Sequence, residues 1–185
     1  MTKHLFISGL CGLALLTACG GSGGSTTATA GALSYQDPAG TGFRLVRNAA
    51  STDRHLVLDL VGPSGTQGKG VAFFLQADDA KVSWVHPTGA GSGHVASGSV
   101  FPLGTAPQLA ADKVQSGRLQ VGCFQKGGTA ATLGSASILS VALNLHDNVA
   151  KGAVSLAPGA KQAVLLAADG SLTPISLSVG TLSAQ

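Results

Sequence analysis

The stretch from Leu56 to Val85 reads LVLDLVGPSGTQGKGVAFFLQADDAKVSWV. In its first segment leucines recur at every second position, Leu56, Leu58 and Leu60, while His55, Val57, Asp59 and Val61 fall between them. A period of two places alternate side chains on opposite faces of a strand. PSGTQGKG is a loop rich in turn formers. GVAFFLQA is an apolar run of strand length, consistent with the interior of a sandwich. Asp78-Asp79-Ala80 turns the chain into KVSWVHP, where Val82, Trp84 and His86 share one face and Val85 takes the other. Three strands joined by tight turns in thirty residues set the class of the fold.

The flanking sequence continues in the same way. GFRLVRNA predicts a strand with Phe43, Leu45 and Arg47 on one side. RLQVGCFQK alternates Leu119, Val121 and Cys123, and a turn follows at Gly127-Gly128. ASILSVALNLHD is a long strand, and the segment from Asn148 to Leu182 supplies about three more. TGAGSGHVASG (Thr88–Gly98) reads as a mobile loop. SVFPLG reads as a brief edge strand interrupted by proline, and APQLAADKVQSG as the one place for a short helical turn. About nine strands separated by turn signals indicate an all-β sandwich or barrel.

Composition agrees. All eight acidic residues are aspartate. Glutamate favours helices, so its absence suits a chain with little helix, and it removes glutamate-based acid/base chemistry. Glycine is abundant at 27 residues of 185. The net charge is +3, scattered without a basic run, which argues against nucleic acid as a partner.

The amino-terminal segment is of another kind. After Met1-Thr2-Lys3-His4 comes LFISGLCGLALL, Leu5 to Leu16. Twelve helical residues span roughly 18 Å, short of the about 20 residues a bilayer core requires. This is the apolar region of a secretory signal. Leu16-Thr17-Ala18-Cys19 resembles a bacterial lipobox. That resemblance implies diacylglycerol on the Cys19 sulfur, cleavage before Cys19, acylation of the new amino terminus and, with Gly20 following, delivery to the outer membrane. Several acyl chains anchor a protein stably where one does not. The organisation expected is a signal peptide over 1–18, a lipidated Cys19 with a glycine-, serine- and threonine-rich tether over 19–31, and one domain over 32–185. A tether of that composition behaves as a flexible coil.

Cys11 leaves with the signal and Cys19 carries lipid. Cys123 is then alone and reads as a small buried hydrophobe. No nucleophile elbow, phosphate-binding loop or dinucleotide fingerprint is present. Four histidines remain, His55, His86, His94 and His146. His146-Asp147 lie at a strand end, and His86 and His94 flank the glycine-rich loop; all read as solvated loop histidines before metal ligands. Asp78-Asp79 reads as a turn before a calcium site. Neither metal nor cofactor is expected. A hydrolase would need two of His86, His94, Asp112, His146 and Asp147 to converge in a pocket. Sugar-binding sandwiches present flat aromatic faces, for which Trp84 and Tyr35 are the natural candidates, although Trp84 alternates with core-like Val82.

A second resemblance covers Leu56 to Ala184. The opening stretch, SILSVALNLHDNVAKGAVSL and the terminal ISLSVGTLSAQ are similar to the strand pattern of cohesin-like domains. The likeness implies a nine-stranded jelly-roll sandwich. It departs over Thr88–Gly117, and no partner-binding residue is carried over from it. The function expected is a non-enzymatic protein-binding or scaffolding module in envelope, secretion or pilus assembly. It would be anchored through Cys19 and recognised through a sheet face or edge; the alternative is a carbohydrate-binding module on the same fold.

Overall fold

The structure, a computed structural model of the chain, describes residues 28–101, 110–125 and 129–185. The leader, Cys19, the tether up to residue 27, Pro102-Leu103-Gly104, residues 106–109 of the expected helical turn and the Gly127-Gly128 turn lie outside the described residues.

The protein is all-β, built on two principal sheets and a small third one. The first sheet runs β15 (Leu177–Ser178), β2 (Phe43–Arg47), β3 (His55–Val61), β10 (Leu139–Leu145) and β5 (Val82–Val85), with β6 (Val95–Ser97) also on β10. The second runs β14 (Leu172–Ile175), β13 (Ala163–Ala167), β4 (Gln67–Ala77), β8 (Arg118–Phe124) and β7 (Ala110–Gln115), with β12 (Leu156–Pro158) and β9 (Ala131–Thr132) also on β4. The third comprises β1 (Leu33–Gln36), β16 (Thr181–Ala184) and β11 (Gly152–Val154).

Register explains why the sheets stack. Leu60, Leu58 and Leu56 of β3 lie opposite Leu139, Val141 and Leu143 of β10. In the other sheet Val71, Phe73 and Leu75 of β4 lie opposite Cys123, Val121 and Leu119 of β8. Directly opposed residues share a face, so each sheet presents an apolar stripe, and all twelve are buried in one core. A slip of one residue would turn either stripe outward.

Four expectations are corrected. Sixteen strands occur among the described residues, where about nine are expected from turn signals. The surplus comes from segments that read as single strands but change sheet: GAVSLAP splits at Ser155 into β11 and β12, and LTPISLSVGTLSA divides among β14, β15 and β16. The described half of the expected helical turn is strand β7, paired with β8 through a two-residue turn at Ser116-Gly117. Both residues have positive φ, 50° and 71°, as a tight hairpin demands. Within Thr88–Gly98, Val95–Ser97 forms β6 on β10. In SVFPLG no strand forms over the described residues, yet Phe101 is fully buried. Arg47, opposite Leu58 and so on the side of Phe43 and Leu45, is exposed at the strand end, where its N–H donates to Asp37 Oδ1 at 2.7 Å.

Residues 28–32 belong to the hydrogen-bonded body. Ala30 N–H donates to the Val149 carbonyl at 2.7 Å, Gly31 N–H donates to that of Gln185, and Ala30 is buried.

Candidate docking face

The two sandwich faces differ in what lies on them. On the outside of the first sheet, polar side chains are tied to neighbouring segments. Asp59 accepts hydrogen bonds from Asn48 Nδ2 (2.6 Å) and Ser140 Oγ. His55 bridges Asn144 Oδ1 (2.7 Å) and the carbonyl of buried Pro87 (2.9 Å). Val57 and Ala142, which alternation turns outward, are buried there all the same.

The outside of the second sheet is different. Outward positions of β4 and β8 read Gly70, Ala72, Phe74, Gln76 and Arg118, Gln120, Gly122, Phe124, opposed in antiparallel register. Small residues alternate with two half-buried phenylalanines. The ring of Phe124 occupies the space a Cβ on Gly70 would need. Two shallow hollows result. One, of about 370 Å³, is lined by Ala72, Gln120, Gly122 and Phe124 with Ala111, Asp112 and Lys113 of β7. The other, of about 460 Å³, is lined by Phe74, Gln76 and Arg118 with Ala157 to Lys161. The Lys161 ammonium stands 5.6 Å from the centre of the Phe74 ring, within cation–π range.

Charge on this surface has one sign. The residues lining the two hollows include Lys113, Arg118 and Lys161, while their one carboxylate, Asp112, is engaged by His94. A cationic, partly aromatic, shallow sheet surface suits a macromolecular partner with carboxylates at its rim. It does not enclose a small molecule.

The residues singled out from sequence fall elsewhere. Trp84 is buried, its Nε1–H donating to the Gly117 carbonyl at 2.7 Å. Tyr35 is buried too, its hydroxyl donating to the Leu45 carbonyl at 3.1 Å and accepting from Gly180 N–H at 2.6 Å. Neither is a platform for a sugar. His86 accepts the Thr88 N–H within its own loop at 3.2 Å. Asp147 pairs with Arg54 at 2.7 Å, and His146 does not join it in any ion pair. Asp78 Oδ1 accepts the Ala80 N–H at 3.2 Å, the bond of a turn-forming aspartate; Asp79 is exposed beside it. Among the described residues no three His, Cys, Asp or Glu side chains gather as metal ligands. His94 and Asp112 are the one candidate pair that meets. Burial pushes the Cys123 thiol up to about 12, so it stays protonated and inert at neutral pH.

Phe74 and Phe124 escape a reading by composition because VAFFL is apolar throughout. The usable signal is the small residue at alternate positions, Gly70, Ala72 and Gly122, on the face away from Val71, Phe73 and Val121.

No protein-family model matches this chain, and no curated protein matches it in sequence. Solved structures do match in shape. A type II cohesin domain from the cellulosome of Acetivibrio cellulolyticus superposes with a TM-score of 0.57 at 10% identity, covering 76% of this chain and 93% of that one. A cohesin of a type II cohesin–X-dockerin complex from the same organism gives 0.54 at 11%, covering 76% and 95%. The sixth cohesin of its scaffoldin B, solved in complex with a dockerin, gives 0.50 at 18%, covering 76% and 96%. Sequence and shape thus converge on one statement: the chain has the jelly-roll sandwich fold of cohesin domains.

Proposed function

We propose that this protein is a non-enzymatic protein-binding module that engages an acidic partner through the outer face of its second sheet. It is held at the outer membrane by lipid on Cys19. The observation that carries the reading is the asymmetry of the sandwich: one sheet is covered by its own loops, while the other presents Phe74, Phe124 and three cations. The fold adds support, since two of the cohesins it resembles were solved with dockerins. A carbohydrate-binding role has less support, with both Trp84 and Tyr35 buried.

Gln120 is exposed, lies opposite Phe74 and lines the first hollow, so a charge placed there alters the face without entering the core. The chain, beginning at Cys19, should capture one stoichiometric envelope protein. Gln120→Glu, which sets a carboxylate against the acidic partner, should weaken that capture at least about 100-fold, equivalent to about 2.7 kcal/mol, while the urea midpoint stays within about 0.5 kcal/mol of wild type. Raised salt should slow association, because cations steer the encounter. Capture that ignores Gln120→Glu would place the interface on another surface.

The anchor is tested separately. The full chain, expressed with its leader, should fractionate with outer membranes at an intact mass reporting cleavage before Cys19 and added acyl chains. Cys19→Ser should lose both properties. An uncleaved, unacylated wild-type amino terminus would refute the anchor and leave the docking face standing.

A further inference from the structure

The connection from β5 to β6 ends at His94, beside the edge strand of the opposite sheet. Asp112 of β7 accepts the backbone N–H of His94 through Oδ2. The His94 imidazole Nδ1 stands 3.4 Å from the same oxygen. Nδ1 is buried and has no hydrogen-bond partner. Gly93 makes the approach feasible: its φ is +85°, and a Cβ on it would come within 3.1 Å of Oδ2.

In the Nε2–H tautomer the Nδ1 lone pair faces a carboxylate and is repelled by it, and the Nδ1–H tautomer offers it only an uncharged donor. A proton on that nitrogen reverses the interaction, and histidine is the side chain that gains or loses one between about pH 5 and 8. Few other charges bear on the pair. β7 contributes Lys113, which alternation turns to the outer face, and the loop contributes His86, which is occupied by Thr88. β10, on which β6 lies, offers Leu139, Ser140 and Val141 and no charge. β7 pairs with β8 alone among the described strands, so the contact with His94 is a second hold on an edge strand.

We infer that His94 and Asp112 form a proton-operated clasp between the two sheets, tightened by the charge of the imidazolium and loosened when the ring is neutral. The clasp shares Asp112 with the lining of the first hollow, but its experiment reads strand opening and not capture. It uses an inward position of β7 and the end of the β5–β6 connection.

Native-state amide hydrogen exchange tests it on the chain from Cys19 onward. Rates in β6 and β7, corrected for the intrinsic effect of pH, should rise about tenfold between pH 5.5 and pH 8. Those of β3 and β10 should not change. His94→Gln should remove the pH dependence while leaving the strands folded, and Asp112→Asn should do the same; if Asp112→Asn fails to fold, His94→Gln carries the test. Lys113→Gln should keep the wild-type dependence. Corrected rates that are flat with pH in the wild type, or a dependence that survives in His94→Gln, would overturn the clasp.

Discussion

Trp84→Ala should lose about 3–5 kcal/mol of unfolding free energy, the range for removing a large buried aromatic. That is a large share of the about 5–15 kcal/mol that holds a domain of this kind. The ring sits on β5 in the first sheet and is buried in the core. Its Nε1–H reaches across the sandwich to the Gly117 carbonyl, which also accepts the Ala77 N–H at 3.0 Å. One carbonyl in the β7–β8 turn therefore joins the end of β4 to the opposite sheet. Trp84→Phe separates the two contributions: it keeps most of the packing and gives up the hydrogen bond, worth about 1 kcal/mol net. Urea unfolding monitored by circular dichroism measures both variants. A loss below about 1 kcal/mol for Trp84→Ala would mean that the ring is not a core element. Any loss of ligand by Trp84→Ala would also report unfolding, so binding is better tested at Gln120.

The class of the fold was legible because its signal is local. Leu56, Leu58 and Leu60 declare a strand with one apolar face, and Leu119, Val121 and Cys123 declare another, without knowledge of which strands pair. Cys123 accordingly lies in the core. What the sequence concealed depends on distant partners. Whether GAVSLAP is one strand or two is decided by what flanks Ser155: β16 before it and β4 after it. Asp112 reads as part of a helical turn until β8 pairs with its segment. The docking face was least legible, because an apolar residue facing outward looks the same in sequence as one facing inward. Phe73 and Phe74 are adjacent and identical, yet Phe73 is 1% exposed in the core while Phe74 lines an open hollow beside Lys161. The meeting of His94, in the β5–β6 connection, with Asp112 of β7, 18 residues away, carries no spacing motif at all.

Tyr35→Phe should cost at least about 2 kcal/mol, more than the loss of one ring oxygen would suggest. The hydroxyl joins the first and third sheets: it projects from β1 in the third, donates to the Leu45 carbonyl of the first and accepts from Gly180 between β15 and β16. Removing it leaves a carbonyl and an N–H unpaired in surroundings where each unsatisfied group costs about 1–3 kcal/mol. The same burial sets a pH dependence. Desolvation raises the Tyr35 hydroxyl to about 12; the Gly180 N–H opposes this in part and the nearby Asp37 charge adds to it. An unfolded phenol titrates near 10. The folded state therefore keeps its proton where the unfolded chain has released one, and stability drains away as pH rises from about 10 to about 12. Cys123 acts with the same sign, its folded value of about 12 lying above the ordinary thiol value of 9.0. Urea midpoints at pH 7 and pH 11 should fall steeply in the wild type and less steeply in Tyr35→Phe, which retains only the thiol's share of the slope. Equal losses in the two proteins would mean that the Tyr35 phenolate is tolerated in the folded state, and the two hydrogen bonds could not then be the reason the ring is held where the first and third sheets meet.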